Sequence, residues 1–199
     1  PIFLKNNNGK FERDEVISGK LNGLWQSIIP FDIDGDGDTD YVLGNWGLNS
    51  KYTASKSHPM RMYYGDFDNN GRTETIVTTA RGGKYFPLDG LDVLASQLPM
   101  LRKSFTSYES FAGKTIEQIL TKEQLKKAVI FEVHELASGF LRNNGGKFNF
   151  EPFPDNLQLS PILSLLNYDF DSDGHEEVLV GGNYFAVQPF HSRFGSFRG

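Results

Sequence analysis

Three short stretches of the chain gather the residues able to do metal chemistry. They read Asp32-Ile33-Asp34-Gly35-Asp36-Gly37-Asp38-Thr39-Asp40, Asp66-Phe67-Asp68-Asn69-Asn70-Gly71-Arg72-Thr73-Glu74 and Asp169-Phe170-Asp171-Ser172-Asp173-Gly174-His175-Glu176-Glu177. Each carries side-chain oxygens at positions 1, 3, 5 and 9, and alternate spacing sets those oxygens on one side of the backbone. Gly at position 6 permits the sharp turn that wraps them around a hard cation. The backbone carbonyl of position 7, at Asp38, Arg72 or His175, offers a further oxygen. Carboxylates at this density repel one another without a cation, and five or more oxygens suit Ca2+ better than Mg2+. Asn70 lowers the charge of the second loop and Arg72 sits within it, so that loop is expected to bind most weakly.

An EF-hand shares the opening of this pattern but needs a bidentate acid at position 12 and a helix after it. Position 12 here is Leu43, Val77 or Val180. The segments that follow, Tyr41-Val42-Leu43, Thr75-Ile76-Val77 and Val178-Leu179-Val180, are β-branched and aromatic enough for strands. Apolar residues precede each loop as well: Ile28, Ile29 and Phe31; Met62, Tyr63 and Tyr64; Leu165, Leu166 and Tyr168. The elements that must position the loops are therefore strands, one on each side.

Two of these units belong to an internal repeat. Phe3-Leu4-Lys5-Asn6-Asn7-Asn8-Gly9-Lys10-Phe11 matches Phe140-Leu141-Arg142-Asn143-Asn144-Gly145-Gly146-Lys147-Phe148 at an offset of 137 residues, and the same offset carries Asp32, Asp34, Asp36 and Gly37 onto Asp169, Asp171, Asp173 and Gly174. Each nine-residue copy predicts a β-hairpin, because its central Asn and Gly residues accept the positive φ of a tight turn.

From about Pro87 to Lys127 the pattern changes. Leu91, Leu94, Leu98 and Leu101 recur at helical spacing, Pro99 should split that helix, and Thr121 with Gln124 forms a capping-box signature. A leucine stripe of this kind is read as a packing face.

Composition sets the outer limits. Among 199 residues there are 21 Gly, 17 Phe and 8 Tyr, a balance that favours short strands joined by tight turns. Net charge is −5, which argues against a phosphate-neutralising surface and so against nucleic acid. No Cys is present, which removes thiolate zinc sites, disulfides and cysteine nucleophiles. No apolar run reaches membrane-spanning length. The start at Pro1, without a charged and apolar leader, reads as a mature chain or an excerpt.

Other candidates are weaker. His58, His134, His175 and His191 lack partners at a catalytic or metal spacing, and His134-Glu135 lacks the second His of a zincin helix. Asn45-Trp46-Gly47 and Asn183-Tyr184-Phe185, with Trp25, Tyr52 and Tyr85, could present a sugar- or protein-binding platform, although packing between sheets is the reading that the composition favours.

The loops and the strand after each resemble the calcium-binding FG-GAP or VCBS repeats of β-propellers, including the integrin α-subunit head. The hairpin sequence is similar to the cartilage-acidic-protein-like (ASPIC/UnbV) branch common in surface proteins of Bacteroidetes-type bacteria. The resemblance implies calcium ligands at Asp32, Asp34, Asp36 and Asp40, at Asp66, Asp68, Asn70 and Glu74, and at Asp169, Asp171, Asp173 and Glu177. It implies a mainly β fold, a partial propeller: repeats over 1–86, a helical insertion over 87–130 that the standard repeat lacks, and a repeat over 131–199, as one domain of a longer chain. Two to three structural Ca2+ ions are expected. The implied role is a non-catalytic, extracytoplasmic module that binds a protein or carbohydrate, its exposed strands covered by the helical insertion, by further blades or by another copy. The alternative is the propeller of a polysaccharide-processing enzyme; nucleic acid ranks below both.

Overall fold

The computed structural model describes residues 1–17, 19, 21–185 and 195. The protein is mainly β, with 39% strand, 15% helix and twelve strands in four sheets, and no closed barrel or propeller is present among the described residues. In chain order the elements are β1 (Phe3–Asn7), β2 (Lys10–Asp14), β3 (Ser27–Phe31), β4 (Asp40–Gly44), β5 (Met60–Gly65), β6 (Glu74–Arg81) and β7 (Lys84–Pro87). Five short helices follow: α1 (Leu91–Gln97), α2 (Leu101–Ser104), α3 (Tyr108–Phe111), α4 (Ile116–Ile119) and α5 (Lys122–Lys127). The chain returns to strands with β8 (Val129–Val133), β9 (Gly139–Asn144), β10 (Lys147–Pro152), β11 (Ile162–Tyr168) and β12 (Glu177–Gly182).

The chain divides into two compact units, Pro1–Lys51 with Glu135–Gly199, and Tyr52–His134. The helices expected as an insertion over 87–130 lie inside the second unit, because β8 beyond them pairs with β5 before them.

In the first unit, β10-β9-β4-β3 form one antiparallel sheet. Successive β4 side chains face opposite ways, so Leu43 joins Leu21, Leu141 and Phe148 on one face while Val42 joins Phe153 and Ile162 on the other. The β1–β2 hairpin packs on the first face through Phe3, which stacks on Phe148 at 4.5 Å between ring centres. The β11–β12 hairpin packs on the second face through Leu165, Val178 and Val180. Three β layers result. Their separation is tight at Gly44, where a Cβ would lie 2.2 Å from the Ile162 carbonyl oxygen.

Local chemistry explains the hairpins. Asn8 and Gly9 take φ of 53° and 89°, Gly145 and Gly146 take 61° and 86°, and the Asn6 and Asn143 side chains accept from the Gly9 and Gly146 amides at 2.7 and 2.8 Å. Both hairpins share one register, Phe3 opposite Asp14 and Phe140 opposite Glu151.

In the second unit, β7-β6-β5-β8 form an antiparallel sheet. The leucine stripe is a packing face: Leu91, Leu94, Leu98 and Leu101 are buried against Tyr63, Phe67 and Ile76 of the sheet side. α1 ends before Pro99, and α5 opens with a reciprocal capping box in which Thr121 Oγ1 accepts from the Gln124 amide at 3.3 Å.

Candidate metal centres

Each acidic loop joins two antiparallel strands: β3 to β4, β5 to β6, and β11 to β12. The three are built by the same hydrogen bonds. The position-9 carboxylate reaches back to the position-2 amide, at 2.9 Å for Asp40 with Ile33, Glu74 with Phe67 and Glu177 with Phe170. The position-1 carboxylate accepts from the Gly at position 6, at 3.1 Å for Asp32, 2.9 Å for Asp66 and 3.0 Å for Asp169. The position-5 oxygen accepts from the position-7 amide at 2.8 Å in all three, from Asp38, Arg72 and His175 to Asp36, Asn70 and Asp173. These are charge-assisted bonds except at Asn70, and they hold each loop as a closed turn.

Two residues per loop adopt left-handed φ. Gly37, Gly71 and Gly174 do so at position 6, as the sequence predicts, and Gly35, Asn69 and Ser172 do so at position 4. Gly and Asn at position 4 carry that signal in sequence, but Ser172 conceals it because Ser rarely adopts φ of +62°.

The turns bring carboxylates together. Asp32, Asp34 and Asp36 offer oxygens all within 4.8 Å of one another, as do Asp66, Asp68 and Glu74, and Asp169, Asp171 and Glu177. The second and third loops thus converge positions 1, 3 and 9, and the first converges positions 1, 3 and 5. Asp40 stands outside the first trio, and its oxygens accept two amides, Oδ2 from Ile33 and Oδ1 from Asn143 at 2.6 Å. Asp173 lies outside the third trio, and Asn70 borders the second as a neutral donor. Asp38, Arg72 and His175 keep their side chains exposed. Each trio is a set of carboxylate oxygens that could hold a metal ion.

One participant was not legible from the loops. Arg142 on β9 pairs with Asp34 and also donates from Nε to Glu151 at 3.1 Å. Those two carboxylates, Glu151 first, raise the Arg142 pKa above the usual guanidinium value. A positive charge paired to a loop carboxylate therefore borders the first loop. Its sequence counterpart at the offset of 137 is Lys5.

Most of the remaining aromatic and polar candidates are packed, whereas Phe185 stays exposed. The His134 side chain is 2% exposed, with Nε2 3.4 Å from Glu132, whose other oxygen holds Arg61 at 2.9 Å. Neither ring nitrogen of His134 makes a hydrogen bond, and its burial keeps dissolved substrates away. His58 bonds Ser57 at the surface, and His191 lies outside the described residues. Asn45 is buried with its side chain bonded to the Glu135 and Ala137 carbonyls, Trp46 packs edge-on against Tyr184, Trp25 packs on Phe150, and Tyr85 lies under Arg61. No helix among the described residues is long and apolar enough to cross a membrane. No family model, curated protein or solved structure matches this chain.

Proposed function

We propose that this chain is a calcium-stabilised binding module built from FG-GAP/VCBS-type repeats of the ASPIC/UnbV kind, arranged as part of a propeller, with Ca2+ in a structural role. The observation that carries this reading is the threefold recurrence of one loop, with the same hydrogen bonds closing it and three carboxylates converging inside it each time. The residues that would hold the ions are positions 1, 3, 5 and 9 of each loop, with the carbonyls of Asp38, Arg72 and His175. A bound ion neutralises carboxylates and ties two strands together, so binding free energy becomes folding stability. No step of chemistry on a substrate is assigned. An extracytoplasmic location accords with loops of this type, since extracellular calcium modules work at about 10⁻⁴ to 10⁻³ M. The partner class is a protein or a carbohydrate.

Calorimetric titration of chelator-stripped protein, paired with melting curves, tests the reading. Two to three sites and a melting temperature that rises with calcium are expected. A titration without heat and a melting temperature indifferent to calcium and chelator would overturn it.

A further inference from the structure

The repeat extends further than its loops, and it leaves two halves of a sheet unmatched. β3–β4 and β11–β12 are the same hairpin at an offset of 137 residues, with Ser27 opposite Gly44 and Ser164 opposite Gly181. β1–β2 and β9–β10 are likewise one hairpin twice, in one register. In the central sheet the two kinds join, because β4 pairs with β9 through Tyr41–Leu141, Val42–Phe140 and Leu43–Gly139. The other pair stays apart: β1–β2 and β11–β12 are separate two-stranded sheets on opposite faces of the central one.

Exposure follows that division. Leu4 is 60% exposed where its counterpart Leu141 is fully buried, Phe11 is 63% exposed where Phe148 is 7%, and Leu179 is 58% exposed where Val42 is fully buried. Among the described residues, no strand pairs with the outer edges of β1 and β12.

We infer that β1–β2 of one copy of this chain joins β12 of a second copy, completing a sheet in the order β2-β1-β12-β11 that reproduces β10-β9-β4-β3. The repeat fixes the register: Leu4 opposite Val178, Phe3 opposite Leu179 and Ile2 opposite Val180. The faces agree with this. Leu4 and Phe11 would share the face of Val178 and Val180, which already packs on the central sheet of their own copy. Leu179 would share the face of Phe3, which already packs on the opposite side of the central sheet of its own copy. The shared sheet would therefore be covered on both sides, one by each copy. Leu166 would then approach an open groove of about 320 Å³ beside Trp25, Ile28 and Leu43. Donor and acceptor surfaces differ, so the contact is head-to-tail and leads to a ring or an open chain rather than a two-fold dimer. The inference stands on strand register and apolar exposure and is independent of calcium.

The absence of Cys makes the test clean. Leu4→Cys and Val178→Cys protein, mixed and mildly oxidised, should give a disulfide-linked dimer, because directly opposed residues fall within disulfide reach. Lys5→Cys mixed with Val178→Cys should link at least tenfold less, since a one-residue shift turns the side chain to the other face. Sedimentation of the Cys-free chain should show concentration-dependent association, reduced at least tenfold in affinity by Leu4→Asp, whose exposed position spares the monomer fold. A chain that sediments as a monomer across the micromolar to millimolar range, equal linking of both Cys pairs, or linking within one chain in a Leu4→Cys/Val178→Cys variant would overturn the inference. Run with calcium and with chelator, the same series separates its failure from any failure of the calcium reading.

Discussion

Arg142 draws the first loop in two directions. Its guanidinium neutralises Asp34 in the absence of an ion, and it repels a cation seated among Asp32, Asp34 and Asp36. Arg142→Gln is expected to tighten calcium binding at the first loop about threefold to tenfold, the effect of removing a partly screened repulsion. The same change should lower the melting temperature of calcium-free protein, because Asp34 and Glu151 lose their partner. Calorimetry and melting of the variant beside the parent chain check both signs. This balance also qualifies the expectation that the second loop is weakest, which rests on Asn70 and Arg72 alone. The loop residues themselves were legible because alternate carboxylates and a Gly within nine residues are a local pattern. Arg142 was not, since it lies over a hundred positions from Asp34 and meets it only through the pairing of β4 with β9.

Elements differ in the same way. The hairpins could be read from Asn-Gly and Gly-Gly turns, and the break at Pro99 from its missing amide, because both are decided within a few residues. The pairing of β5 with β8 across the five helices had no such signature, and it closes those helices, whose leucines pack on Tyr63, Phe67 and Ile76, into the unit with the second loop. Short helices need fastening. Asp92 on α1 accepts from Tyr108 of α3 and Arg102 of α2, and these contacts, the tyrosine first, hold its carboxyl below the ordinary value of 3.8. A depressed folded pKa means a contribution present above pH 3.8 and lost as acid carries the pH down through the lower folded value. Asp92→Asn should therefore narrow the difference in melting temperature between pH 6 and pH 3, while leaving loop binding of calcium unchanged. Melting curves at the two pH values check it.

For the whole molecule, charge is the first consequence. Three divalent ions would carry the formal charge from −5 to about +1, so calcium should slow or reverse migration in native electrophoresis as well as raise stability. The second unit is inserted between two strands that must pair, β4 and β9, and this bears on the order in which the protein folds. Their ends are separated by roughly 95 residues of chain, a costly loop to close from the unfolded state. Once β5 and β8 pair, Met60 lies opposite Val133 and the effective gap falls to about 20 residues, lowering the closure cost by roughly 1 kcal/mol. The inserted unit should thus act as a kinetic clip. Pulse-labelled hydrogen exchange during refolding should show amides of β5, β6 and β8 protected before those of β4 and β9. Slowing the second unit, for instance by Leu98→Ala in its core, should then delay the first unit's central sheet although the substitution touches none of its strands.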